Sequence, residues 1–307
     1  RKLGVWLGMP YTIRVLLISI LSGAAIAVGL SKIFVSPMMK LGDAMRKVAG
    51  GDFSVRLDCT SRIRDVREVY GSFNTMVKEL GNTETLQTDF VSNVSHEFKT
   101  PINAIEGYAS LLQDNQLSDE QKNAYIDKII FNTRRLSDLV GNILLLSKVN
   151  NQTISLKATT FRLDEQVRQS ILALESKWEK KEIEFDIDLD EIEYTGFENL
   201  LSHVWLNLID NAVKFCPDGG TLGLKIKEGG AKAYVSVSND GDTIPPEELP
   251  LVFDRFHKLD KSRSQNRDGW GLGLYIVKTI VCSHGEDISV SSKDGKTEFT
   301  FTMPLVN

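Results

Sequence analysis

The chain has little cysteine. Among its 307 residues only Cys59, Cys216 and Cys282 occur, far apart and in no CxxC pair, which argues against a zinc site or a disulfide framework and fits a reducing cytoplasm. It also lacks a basic excess: the net charge is -5, so no nucleic-acid partner is expected. An initiator Met is missing, Arg1 standing first, and a fragment or a trimmed product is expected. Charge is absent from residues 15–31, VLLISILSGAAIAVGLS. With apolar flanks at 11–13 and 33–35 that run covers the ~20 residues a bilayer requires, and Arg14 and Lys32 can snorkel at its ends. A signal peptide would show a shorter apolar core. What is present, 42% hydrophobic and 25% charged residues, suits two or three modest domains rather than one large core.

After the apolar run, Pro37 opens a helical pattern with Met38, Leu41, Met45 and Val48 at steps of three and four, closed by Gly50 and Gly51. A second helix follows a polar connector, with Val66, Val69, Phe73, Met76 and Leu80 near heptad register. Residues 90–112 form a further amphipathic helix, its apolar face Phe90, Val94, Phe98, Ile102, Ile105, Ala109 and Leu112. His96 falls on the polar side. A neutral imidazole is nucleophilic near pH 7, Glu97 can take or orient its proton, and Thr100 lies one turn on, where its hydroxyl could hold a water. Pro101 removes an amide bond and is expected to bend the helix. Ser118 and Gln121 form a capping box for a helix running to about Val149. Its stripe, Ile126, Ile129, Thr133, Leu136, Val140 and Ile143, is too wide for one hairpin to bury, so a second copy completing a four-helix bundle is expected. Asn150, Asn151 and Gln152 read as a linker.

Beyond residue 154, helical and strand patterns alternate. Helices are expected at 163–178, 200–215 and 271–282, and strands at 183–189, TLGLKIKE, AKAYVSVS, DISVSS and TEFTFTMP. That pattern implies a mixed sheet with helices on one face. On LLSHVWLNLIDNAVKF, the polar Asn207, Asn211 and Lys214 share a face opposite Leu201, Val204, Leu208 and Phe215. An amide oxygen suits a hard cation such as Mg²⁺, and a lysine suits phosphate as a point charge. Gly269, Gly271 and Gly273 open a helix, where missing Cβ atoms and free amides suit phosphate. Lys258, Lys261, Arg263 and Arg267 give the preceding stretch, 257–268, the character of a mobile cationic lid. His203, His257 and His284 read as structural or surface groups.

HEFKTP around His96 resembles the phosphoacceptor box of sensor histidine kinases. The two helices after the apolar run, ending in FNTM, resemble a HAMP relay, with Arg67 where a Gly is usual. The helix carrying Asn207 resembles the N box of the kinase, gyrase, heat-shock-ninety and MutL ATPases. SNDGDTIP resembles the first glycine box, with Asn239 for the adenine-reading Asp and Thr243 for the second Gly. Phe253–Phe256 resembles the F box, and Gly269 to Gly273 the second glycine box.

The resemblance implies an α+β multidomain membrane protein. Its parts would be a transmembrane segment (1–35), a HAMP linker (36–84), a dimerisation and phosphotransfer hairpin (85–150), and an α/β-sandwich ATP-binding domain (154–307), with the catalytic parts in the cytoplasm. It implies autophosphorylation of His96, assisted by Glu97 and Thr100, and transfer to a response regulator receiver domain. ATP would be held by Asn207, Asn211, Lys214, Asn239, Gly241, Gly269, Gly271 and Gly273, with Mg²⁺ on Asn211. A phosphatase-biased or non-catalytic signalling scaffold is the alternative. An ATPase clamp is disfavoured because Asn207 stands where the water-activating Glu would be.

Overall fold

The computed structural model describes residues 10–61, 63–150, 158–259 and 269–305. Two compact units emerge, Arg1–Ser92 and Asn93–Asn307.

In the first unit, helix α1 (Tyr11–Leu30) passes through a π-helical turn, Ser31–Val35, into α2 (Ser36–Ala49). The rigid φ of Pro37 and its missing N–H fit the start of α2, so no break separates the two helices. Residues Tyr11–Ala49 are long and apolar enough to cross a bilayer; the most apolar window has a mean hydropathy of 2.2 and no buried residue. Ala44 of α2 packs with Phe73 and Val77 of α3 (Arg64–Leu111), joined by Leu41, Val48 and the connector residues Phe53, Val55 and Leu57. Asn74 pins that connector by taking the Leu57 N–H and donating to its carbonyl, both at 2.8 Å. The buried stripe is Tyr70, Phe73 and Val77, leaving Val69, Met76 and Leu80 of the expected register exposed.

The second unit starts within α3, which runs unbroken through Pro101 to Leu111. Helix α4 (Asp119–Asn150) begins at the expected capping box: the Ser118 N–H donates to Gln121 Oε1 at 3.0 Å, and the Gln121 N–H to Ser118 Oγ at 3.3 Å. The face α4 buries is Asn132, Leu139 and Leu146, seven apart, whereas Ile126, Ile130, Phe131, Val140 and Leu144 stay exposed. The expected linker residues Asn151 and Gln152 lie outside the described residues.

Two short strands, β1 (Thr159–Arg162) and β3 (Glu193–Gly196), pair antiparallel beside the main sheet. Between them lie α5 (Leu163–Ala173), a separate helical turn Glu175–Trp178 and β2 (Glu184–Leu189). The helix expected over 163–178 is therefore interrupted, at Leu174 (φ -106°, ψ 11°). There follow α6 (Glu198–Phe215), β4 (Thr221–Gly229), β5 (Lys232–Asp240), α7 (Gly273–Ser283), β6 (Ile288–Lys293) and β7 (Lys296–Pro304).

The five-stranded sheet has the order β2-β4-β5-β7-β6; the β2–β4 pairing is parallel and the others antiparallel. Alternate residues face the helices: Leu222, Leu224 and Ile226; Ala233, Val235 and Val237; Phe299, Phe301 and Met303 are all buried. Against them pack Val167 of α5, Val204, Trp205, Leu208 and Ile209 of α6, and Ile276, Val277 and Ile280 of α7. Each fully buried side chain of this kind contributes roughly 1.5–3 kcal/mol. Trp205 sits at the centre, stacked on Phe301 with centroids 5.7 Å apart, its indole N–H donating to Gln166 Oε1 at 2.7 Å.

Candidate active site

Helix α6 buries Leu201, Val204, Leu208 and Ala212, which leaves Asn207, Asn211 and Lys214 half-buried on its other side. The Asn207 amide donates to the His203 carbonyl at 2.7 Å, which leaves Oδ1 as the outward group. A Cβ on Gly273 would lie 2.7 Å from that oxygen, and a Cβ on Gly269 would lie 2.9 Å from Lys214 Nζ. Sequence positions some sixty residues apart thus meet closely at the N-terminus of α7, whose free amides favour anions.

The first glycine box closes another side. A Cβ on Gly241 (φ +155°) would come within 2.7 Å of the Phe215 carbonyl, at the end of α6, and 3.4 Å from Asn239 Nδ2. Asn239 is buried, its amide donating to the Asp240 carbonyl at 2.8 Å, so the carbonyl oxygen is its acceptor toward any further group. Thr243, in place of a glycine, has a local use. Its Oγ1 accepts from the Gly295 N–H at 3.0 Å, and the Gly241 N–H donates to the Gly295 carbonyl at 2.8 Å, tying the box to the β6–β7 turn.

Phe253 is buried edge-on against Phe299, with centroids 6.1 Å apart. Phe256 takes a left-handed backbone (φ 62°), costly for a non-glycine residue, and its N–H donates to the Gly271 carbonyl at 2.8 Å. Gly271 (φ +67°) admits this approach, because a Cβ there would lie 2.7 Å from the Phe256 carbonyl carbon. Between the glycines, Trp270 is buried, with the Arg135 guanidinium of α4 4.5 Å from its ring centroid. Neither Trp270 nor Arg135 stands out from sequence, since a cation–π pair across two elements leaves no local period. Of the cationic lid, only His257, Lys258 and Leu259 are described; Lys261, Arg263 and Arg267 lie outside the described residues.

His96 is exposed on α3. Glu97 is engaged, its Oε1 accepting from Lys258 Nζ at 3.0 Å. The Thr100 hydroxyl donates to the His96 carbonyl at 3.3 Å, anchoring the turn rather than pointing along it. The remaining histidines have structural partners or surface positions: His257 Nε2 faces Glu248 Oε2 at 2.8 Å, His284 Nδ1 faces the Ile280 carbonyl at 2.8 Å, and His203 is exposed.

The glycine cradle, with Lys214 and the outward Asn207 oxygen, fits a nucleoside triphosphate. Among the described residues no group of three or more His, Cys, Asp and Glu side chains could hold a metal unaided. An amide oxygen such as that of Asn211 suits a hard cation.

The fold and site define an ATPase-type sandwich joined to a helix bearing an exposed histidine. Three family models match in series: "HAMP domain" over residues 29–82, "His Kinase A (phospho-acceptor) domain" over 86–152, and "Histidine kinase-, DNA gyrase B-, and HSP90-like ATPase" over 196–307. Together they give the chain the domain series of a sensor histidine kinase, HAMP, phospho-acceptor and ATPase. The heme sensor protein HssS of Staphylococcus aureus is 32% identical over 272 residues, covering 88% of this chain and 58% of HssS, so the chain spans less than two thirds of that relative. The histidine kinase AdeS of Acinetobacter baumannii shares the fold, with TM-score 0.56 and 23% identity over 69% of this chain and 98% of the solved one. Full-length ShkA in complex with AMPPNP has TM-score 0.54 and 26% identity, covering 73% of this chain and 46% of ShkA.

Proposed function

We propose that this chain is a membrane-anchored, homodimeric sensor histidine kinase that transfers the γ-phosphoryl group of ATP to His96 and then to an aspartate on a response regulator receiver domain. The proposed layout is a membrane segment over 1–35, HAMP over 36–84, the acceptor hairpin over 85–150 and the ATP domain over 154–307, the last two in the cytoplasm. The observation carrying this reading is the meeting of Gly273 with Asn207 and of Gly269 with Lys214. It supports a phosphate cradle assembled from the N box and the second glycine box.

In this reading Lys214 pairs with phosphate oxygens, the backbone N–H groups of Gly271 and Gly273 donate to the phosphates, and the Asn239 carbonyl accepts from the adenine amino group. Asn207 and Asn211 face the phosphates, Asn211 as the metal ligand. Mg²⁺, when bound, neutralises phosphate charge and aligns the γ-phosphoryl group. A ring nitrogen of His96 attacks phosphorus as ADP leaves, and the ring proton passes to Glu97 once the Lys258 pair has opened. Thr100 holds the turn that aims the imidazole. The exposed Ile126, Ile130, Phe131, Val140 and Leu144 support pairing with a second copy, and the apolar Tyr11–Ala49 run supports membrane anchoring.

Calorimetric titration of the full chain in detergent micelles with Mg-ATP tests the cradle. Saturable one-site binding, weakened at least tenfold in Asn211→Ala, is expected. Equal affinity in that variant would remove Asn211 from the site, and no binding by the wild type would leave the signalling scaffold.

A further inference from the structure

Helix α6 ends without a glycine cap. Cys216 is extended (φ -64°, ψ 135°) and Pro217, which has no amide proton, follows. Helix ends leave their last carbonyls without intrahelical donors. Here one side chain answers them: Lys181 Nζ donates to the carbonyls of Val213 at 2.9 Å, Lys214 at 3.0 Å and Cys216 at 2.7 Å. These three bonds use the whole donor capacity of an ammonium group, and its positive charge also meets the negative end of the α6 dipole. The Gly219 N–H donates back to the Lys181 carbonyl at 2.8 Å, which closes the loop after α6 onto the same residue.

The turn so held is a wall of the nucleotide site. Lys214 leaves from it, and its Phe215 carbonyl sits where a Cβ on Gly241 would intrude at 2.7 Å. We propose that Lys181 is a positioning residue for ATP binding, capping the C-terminal turn of α6 so that Lys214 and the first glycine box keep their spacing. It touches no substrate and acts through that turn. The inference rests on the nucleotide-site reading above.

The test compares Mg-ATP affinity of the full chain, by calorimetry in micelles, for wild type, Lys181→Met, Lys181→Arg and Lys177→Met. Lys177 is the control: it pairs with Asp210 of α6 at 2.5 Å, three residues before the first capped carbonyl and outside the cap. Lys181→Met is expected to weaken binding about tenfold, the scale of lost charge-assisted hydrogen bonds. Lys181→Arg should recover to within about threefold, because a guanidinium also donates without titrating. Lys177→Met should stay within about twofold, since exposed pairs contribute little. In turnover, the KM for ATP should rise in Lys181→Met, while transfer from already phosphorylated protein to a receiver domain keeps its rate.

Binding by Lys181→Met within about twofold of wild type, or an equal loss in Lys177→Met, would overturn the assignment. So would a slowed transfer step, which would mark a general structural defect. If Lys181→Met does not fold, Lys181→Gln is held to the same thresholds. Absence of binding in the wild type would instead sink the nucleotide-site reading itself, and this inference with it.

Discussion

The acceptor hairpin and the ATP domain solve the burial problem differently. Helices α5, α6 and α7 cover one face of a five-stranded sheet and enclose Trp205, Leu208, Leu224 and Ile276 within a single chain. The hairpin buries Leu139 and Leu146 in that core, with Phe98, Ile143, Leu145 and Val149 packed against it, and leaves Ile126, Ile130, Phe131, Val140 and Leu144 exposed. The sandwich draws most of its core from its own elements, whereas the hairpin stripe is proposed to be covered by a second copy. In the proposed function, chemistry divides along the same line: the geometry proposed to recognise a nucleotide is built by long-range packing, whereas the proposed acceptor, His96, is one exposed imidazole on a helix.

The comparison breaks most sharply at the glycines. Gly273→Val would drive a branched side chain into Asn207, and Mg-ATP binding should fall by about a hundredfold or more, with the far-ultraviolet dichroism of the chain unchanged; the cost reflects a filled cradle. Retained binding would mean the phosphates lie elsewhere. Next in size, Trp205→Ala should destabilise the sandwich by roughly 3–5 kcal/mol, read as a lower denaturant midpoint for the ATP domain while dimerisation persists. Conversely, Ile126→Asp combined with Val140→Asp should shift the dimer–monomer equilibrium by at least about tenfold in sedimentation, as charge on an apolar interface does, and leave Mg-ATP affinity unchanged. Loss of affinity in that double variant would show that the sandwich is not self-sufficient.

The smallest effect concerns acid stability. The Arg162 guanidinium donates twice to the buried Asp164 carboxylate, at 2.8 Å each, and holds its pKa below the ordinary 3.8. A carboxylate with a depressed folded pKa stabilises the fold above its unfolded pKa and loses that contribution as pH falls through the folded value. Wild type should therefore lose stability below about pH 4 more steeply than Asp164→Asn. Identical acid limbs in thermal melts would show the pair to be without effect.

Local patterns made much of this legible. The Ser118–Gln121 box, the five sheet strands and the Asn207 helix announce themselves through capping chemistry and periods of 2 and 3.6. β1 and β3 escaped, being four residues each with polar Thr159, Thr160, Glu193 and Thr195, too short to show alternation. The break at Leu174 escaped because the apolar spacing continues across it. Pro37, expected to open a helix, stands at the start of α2 but behind a π-helical turn that continues α1, and the helix expected to bend at Pro101 runs on through it to Leu111. The motifs marked out glycines and amides, but the Arg135–Trp270 pair and the Lys181 cap join residues distant in sequence, which no local period records.

In the proposed function His96 receives the phosphoryl group from this nucleotide site. The most direct measurement incubates the full chain in micelles, wild type and His96→Gln, with Mg-ATP labelled in the γ position, and follows acid-labile, alkali-stable label on the protein. The account predicts label on the wild type and none on His96→Gln, with both binding Mg-ATP equally. Label that persists in His96→Gln, or a wild type that binds Mg-ATP as a dimer yet never acquires label, would contradict it.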